Sequence, residues 1–64
     1  MVVKLGGIYD IIVDGSVIQK VRVISMRNGL ATRIRINENL SGSRTEMDLN
    51  GKVFTFMEYK PLPL

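Results

Sequence analysis

The sequence predicts an all-β fold of five antiparallel strands, and three observations carry that expectation. Asp14-Gly15, Asn28-Gly29 and Asn50-Gly51 stand at intervals of 14 and 22 residues. Each separates two runs rich in Val, Ile, Thr, Phe or Tyr. No segment between those runs reads convincingly as a helix. A two-residue hairpin loop prefers the type I′ turn, whose twist matches that of the strands and whose two central residues both need positive φ. Asn or Asp followed by Gly adopts that geometry at least strain.

These turns divide the chain into strands expected near 7–13, 16–26, 30–37, 44–49 and 52–59, arranged as a meander. Strand 16–26 is 11 residues long, against a usual length of about five or six, so it is expected to bend. A long bent strand shared by two hairpins resembles, in architecture alone, a small SH3-like barrel; the oligonucleotide-binding (OB) barrel is the alternative. The paired aromatics of a peptide-binding SH3 domain are missing. Asn37 to Ser43 forms the one long connection, where a short helical turn is the alternative. Another such turn would span Ser43 to Glu46, whose spacing fits a capping box. Residues 1–60 are read as one small β domain, and Pro61-Leu62-Pro63-Leu64 as an extended tail, loose or latched onto a neighbouring subunit.

The turns also set a register. Around Asn28-Gly29, Arg22 faces Arg35, Val23 faces Ile34 and Val21 faces Ile36, and opposed residues share a face. One face then holds Val21, Val23, Ile34 and Ile36 as core. The other holds Lys20, Arg22, Arg33 and Arg35. Around Asp14-Gly15, the same arithmetic sends Ile8, Ile12 and Val17 inward and sets Tyr9 opposite Lys20 on the basic face. Around Asn50-Gly51 it sends Met47, Leu49, Phe54 and Phe56 inward, leaving Glu46, Asp48, Thr55, Met57 and Tyr59 outward.

Composition narrows the function. The chain has 64 residues and no Cys, His or Trp, so disulfides, the usual zinc sites and the familiar nucleophile–base pairs are not available to it. No metal and no cofactor is expected. A chain this short buries only about 60% of its unfolded surface, and 45% of its residues are hydrophobic; self-association is the expected source of added burial. Asp10, Asp14, Glu38, Glu46, Asp48 and Glu58 are read as solvated charges or arginine partners rather than catalytic acids. No membrane span or signal peptide is apparent, which places the chain in the cytoplasm as an expectation. Asn39-Leu40-Ser41 fits a glycosylation acceptor only by coincidence, and Gly6-Gly7 reads as a hinge into the first strand.

Two readings remain open. Like charges facing each other across strands cost a few tenths to about 1 kcal/mol, so folding alone would not place Arg22 opposite Arg35. With Lys20, Arg33 and a stacking Tyr9, that pair suits DNA or RNA, in accord with a net charge of +3 and an isoelectric point near 9.7. The second reading is a homo-oligomeric or inhibitory protein-interaction module. It would act through Ile11, Val13 and Ile18, which this register places outward, extended by Met26, Met57 and Tyr59. Glu46 and Asp48, outward beside the arginines, would blunt an anion site if they pair with them.

Overall fold

A computed structural model describes residues 1–36 and 45–61. The expected connection from Asn37 to Ser43, the Asn39 acceptor motif and most of the Pro-Leu tail lie outside them. Five antiparallel strands form one sheet: β1 (Ile8–Val13), β2 (Ser16–Arg27), β3 (Leu30–Ile36), β4 (Thr45–Asp48) and β5 (Phe54–Glu58), in the order β4-β3-β2-β1-β5. Thr45 and Glu46 are strand, which excludes the helical turn ending at Glu46.

Two of the three turns have the expected geometry. Asp14 and Gly15 take φ of 49° and 86°, and Asn28 and Gly29 take 53° and 78°, as type I′ requires at both positions. The third departs from it. Gly51 alone is left-handed, with φ of 79°; Lys52 N–H closes onto the Leu49 carbonyl, and the Asp48 carboxylate accepts the Asn50 N–H at 2.9 Å. Capturing a backbone N–H two residues on is a local preference of Asp side chains, and a turn without the primed twist splays its strands. The meander is therefore corrected at its last step. β4 and β5 do not pair, and β5 lies against β1 through Val13↔Phe54 to Tyr9↔Glu58. Asp14 secures this crossing: its N–H donates to the Val53 carbonyl at 2.8 Å and its carboxylate accepts the Val53 N–H at 3.0 Å.

The register of β2 on β3 is as expected for Arg22↔Arg35, Val23↔Ile34, Met26↔Ala31 and Arg27↔Leu30, with a local slip that sets Ser25 against Arg33. That of β1 on β2 is not. Ile12↔Val17 and Ile11↔Ile18 hold, but beyond them Tyr9 meets Val21 and Ile8 meets Arg22. One extra residue has entered β2, at Lys20, whose φ is 56° and whose backbone N–H donates to Asp10 Oδ1 at 2.9 Å. This is a β-bulge, a single added residue that exchanges the two faces from there on. The inward assignment of Ile8, Ile12 and Val17 is accordingly overturned: Ile8 and Ile12 are half-buried and Val17 is 61% exposed.

The core consists of Ile11, Val13, Val21, Val23, Ala31, Ile34 and Leu49, with Val3, Tyr9, Ile18, Met26, Ile36, Met47, Phe54 and Phe56 packed against it. The N-terminal segment closes one end. Gly6 N–H donates to Val23 O, and Val23 N–H to Gly7 O, so the ladder runs past β1. The Tyr9 ring lies so close to Gly7 that a Cβ there would sit 2.6 Å from its hydroxyl. That hydroxyl in turn accepts the Lys4 N–H and donates to the Val2 carbonyl.

Asp10→Ala is expected to cost about 1–2 kcal/mol, because it strips the bulge N–H of its acceptor. The check is a lower urea midpoint with unchanged slope, and a smaller loss for Asp10→Asn, which keeps a carbonyl oxygen in place.

Candidate functional site

The bulge brings together only part of the expected basic face. Arg22 and Arg35 do oppose each other on the surface away from the core, and Arg33 stands two residues from Arg35 on β3. Each cation, however, already has a use. Arg22 Nη1 donates to the Gly6 carbonyl at 2.8 Å, which binds the guanidinium to the backbone of the N-terminal turn. Glu46, opposite Arg35 on β4, divides its carboxylate between two guanidiniums: Oε1 lies 3.4 Å from Arg33 Nε, and Oε2 lies 3.4 Å from Arg35 Nη2. The Lys20 ammonium stands 5.9 Å from the ring centre of Tyr59, within cation–π range.

Tyr9 is corrected out of this face. The bulge pairs it with Val21, so it shares the core side and packs edge-to-face on Phe56 with ring centres 5.6 Å apart. Asp10 takes the corresponding place on the outer side, where its carboxylate holds the bulge. The surface thus sets Asp10, Glu46 and Asp48 among Lys20, Arg22, Arg33 and Arg35, and its charges largely cancel.

The expected apolar patch is likewise taken apart. Ile11 and Val13 are 0% and 5% exposed and belong to the core, while Ile18 and Met26 pack against it. Met57 and Tyr59 are half-buried on the outer side. The cause is again the bulge, which turned Ile11 and Val13 inward.

An open hollow of mixed polarity lies elsewhere. A trough of about 740 Å³ runs between the tip of the β2–β3 hairpin and the turn leading to β5, lined by Met26, Leu30, Ala31, Leu49 and Phe54 among others. Ser25, Asn28, Thr32 and Asn50 line it as well, together with Arg27, Lys52 and Asp48. Thr32 Oγ1 donates to Ser25 Oγ at 3.0 Å along that wall. A second hollow, lined by Met1, Val2, Val3, Leu30, Ala31, Phe54 and Phe56, shares Leu30, Ala31 and Phe54 with the first. Leu30 is 66% exposed and Val2 75% exposed at its lip. The register around Asn50-Gly51 directs Phe54 and Phe56 inward; both pack against the core and also line these hollows.

Among the described residues no cluster of acidic side chains could hold a metal ion, and no helix is long and apolar enough to cross a membrane. Comparison of the chain with protein-family models, with curated proteins and with solved structures found no match. Function is therefore argued from the chemistry of these surfaces.

Glu46→Gln is expected to remove the carboxylate that Arg33 and Arg35 share, at a stability change of about 0–1 kcal/mol. Affinity for a labelled oligonucleotide should rise, and the slope of log K against log salt should steepen by about one to two charges, as read by fluorescence anisotropy.

Proposed function

We propose that this chain is a small, non-catalytic protein-interaction module of SH3-like architecture whose trough receives an extended apolar segment of a partner chain. The observation that carries the reading is that two adjoining hollows share Leu30, Ala31 and Phe54 in their linings. An exposed apolar surface with a polar rim is the usual composition of a protein-binding site. The trough is open along its length, which suits a chain segment better than an enclosed small molecule. Arg27 and Lys52 in its lining favour carboxylates flanking the apolar residues of that segment. The SH3-like assignment is supported by the long β2 shared between two hairpins and by the return of β5 to β1. Absence of catalysis is supported by the lack of His and Cys and by an open site that shields no reacting group from water.

Polyanion binding stands as a second reading, because Arg22 opposite Arg35 is a destabilising juxtaposition that the fold retains. It would use Lys20, Arg22, Arg33 and Arg35, with Tyr59 rather than Tyr9 as the neighbouring ring. Anisotropy with single- and double-stranded DNA and RNA at two salt concentrations separates the readings: affinity that falls steeply with salt favours this one.

Selection of displayed random peptides on the immobilised chain tests the first reading. Apolar peptides with acidic flanks should be enriched, and Leu30→Lys should abolish their binding while shifting stability by no more than about 0.5 kcal/mol, as for an exposed position. Enrichment of nothing, or binding indifferent to Leu30→Lys, would refute it.

A further inference from the structure

We infer that β5 is a self-pairing edge, and that two copies of this chain join through antiparallel β5–β5 contact centred on Thr55. The surface concerned is the free backbone edge of the sheet, which is distinct from the trough. Among the described residues β5 has β1 on one side only, and no Cα of β4 comes within 8 Å of it. Proteins blunt such edges with proline, inward charges or bulges. Phe54-Thr55-Phe56-Met57-Glu58 carries none of these between its ends.

The backbone itself restricts the register. Asp14 and Val53 are a hydrogen-bonded pair, and bonded and non-bonded pairs alternate along an antiparallel ladder. Val53, Thr55 and Met57 therefore turn their N–H and C=O groups toward β1, whereas Phe54, Phe56 and Glu58 turn theirs to the free edge. A second β5 can bond only where these outward groups meet. Centring on Thr55 achieves this, with Phe54 opposite the second copy's Phe56, and Lys52 opposite its Glu58. Of the two neighbouring allowed registers, the one centred on Phe56 would oppose Lys52 to Lys60 and Phe54 to Glu58, and the one centred on Phe54 would oppose Lys52 to Phe56.

Charge complementarity thus selects the Thr55 register, and it occurs twice by symmetry. The pairing also places four phenylalanine rings side by side on the core face. On the other face it sets Val53, which is 79% exposed, against Met57 of the second copy. An isologous contact of this kind closes on itself and forms a dimer rather than a filament.

Sedimentation equilibrium of the full chain over a wide concentration range tests the inference, with no peptide present. The chain should dimerise. Thr55→Lys, which sets two ammonium groups on the axis, should leave it monomeric with an unchanged circular dichroism spectrum. Lys52→Glu and Glu58→Lys should each weaken the dimer by about tenfold, since two attractive pairs become repulsive. Combining them should restore affinity to within about twofold, the coupling expected only of residues in contact. The combined variant still loses the Lys52–Asp14 pair at 3.9 Å within the chain, so rescue reports the contact between copies. A chain monomeric at every concentration overturns the inference. So does a dimer indifferent to Thr55→Lys and to the charge exchange.

Discussion

The hydrogen bond from the Lys20 backbone N–H to the Asp10 carboxylate, 2.9 Å long, holds the bulge that decides which side chains of β1 the core receives. A left-handed φ at a lysine costs about 1–2 kcal/mol relative to the ordinary regions, and the extra residue leaves its N–H without a ladder partner. Asp10 supplies that partner from the facing strand. The return is a core built on Ile11 and Val13 in place of Ile8 and Ile12, with Tyr9 drawn beneath the N-terminal segment. The buried Ile11 and Val13, and the place of Tyr9 on the core side, follow from this one inserted residue.

A second constraint concerns where the last strand goes. Asp14 serves at once as the first residue of a type I′ turn and as the group that binds both backbone groups of Val53. With Asp48 shaping the opposite turn, the chain is sent away from β4 and along β1. Both acids accept backbone N–H groups, and Asp14 also stands 3.9 Å from the Lys52 ammonium. Substituting either would be felt in topology before it was felt in charge.

Much of this was legible beforehand, and the failures have physical causes. Alternating side chains and two primed turns determine β2 and β3, so Val21, Val23 and Ile34 were identified as core and Arg22 was placed opposite Arg35. Phe54 and Phe56 do pack against the core, although the Asn50-Gly51 hairpin that directs them there in the sequence reading does not form. The bulge is not legible, because a lysine in the left-handed region carries no compositional mark; only its acceptor Asp10, next to Tyr9 on the facing strand, hints at it. Asn50-Gly51 misled for a related reason. The same dipeptide forms a different turn when an aspartate two residues earlier captures the backbone. The cations of the basic face are legible by alternation, but Tyr9 lies on the other side because of the bulge, and the split of the Glu46 oxygens between Arg33 and Arg35 depends on side-chain geometry that pairing arithmetic does not carry.

The two tyrosines now occupy very different surroundings. Tyr9 is folded over Gly7 with its hydroxyl bonded to the N-terminal backbone, and Tyr59 stands beside the Lys20 ammonium. Since the chain has no tryptophan, its near-ultraviolet emission comes from these two rings. A protein retaining only one of them would carry a built-in optical probe, reporting either the fastening of the leading segment or events around the bulge, with no attached label.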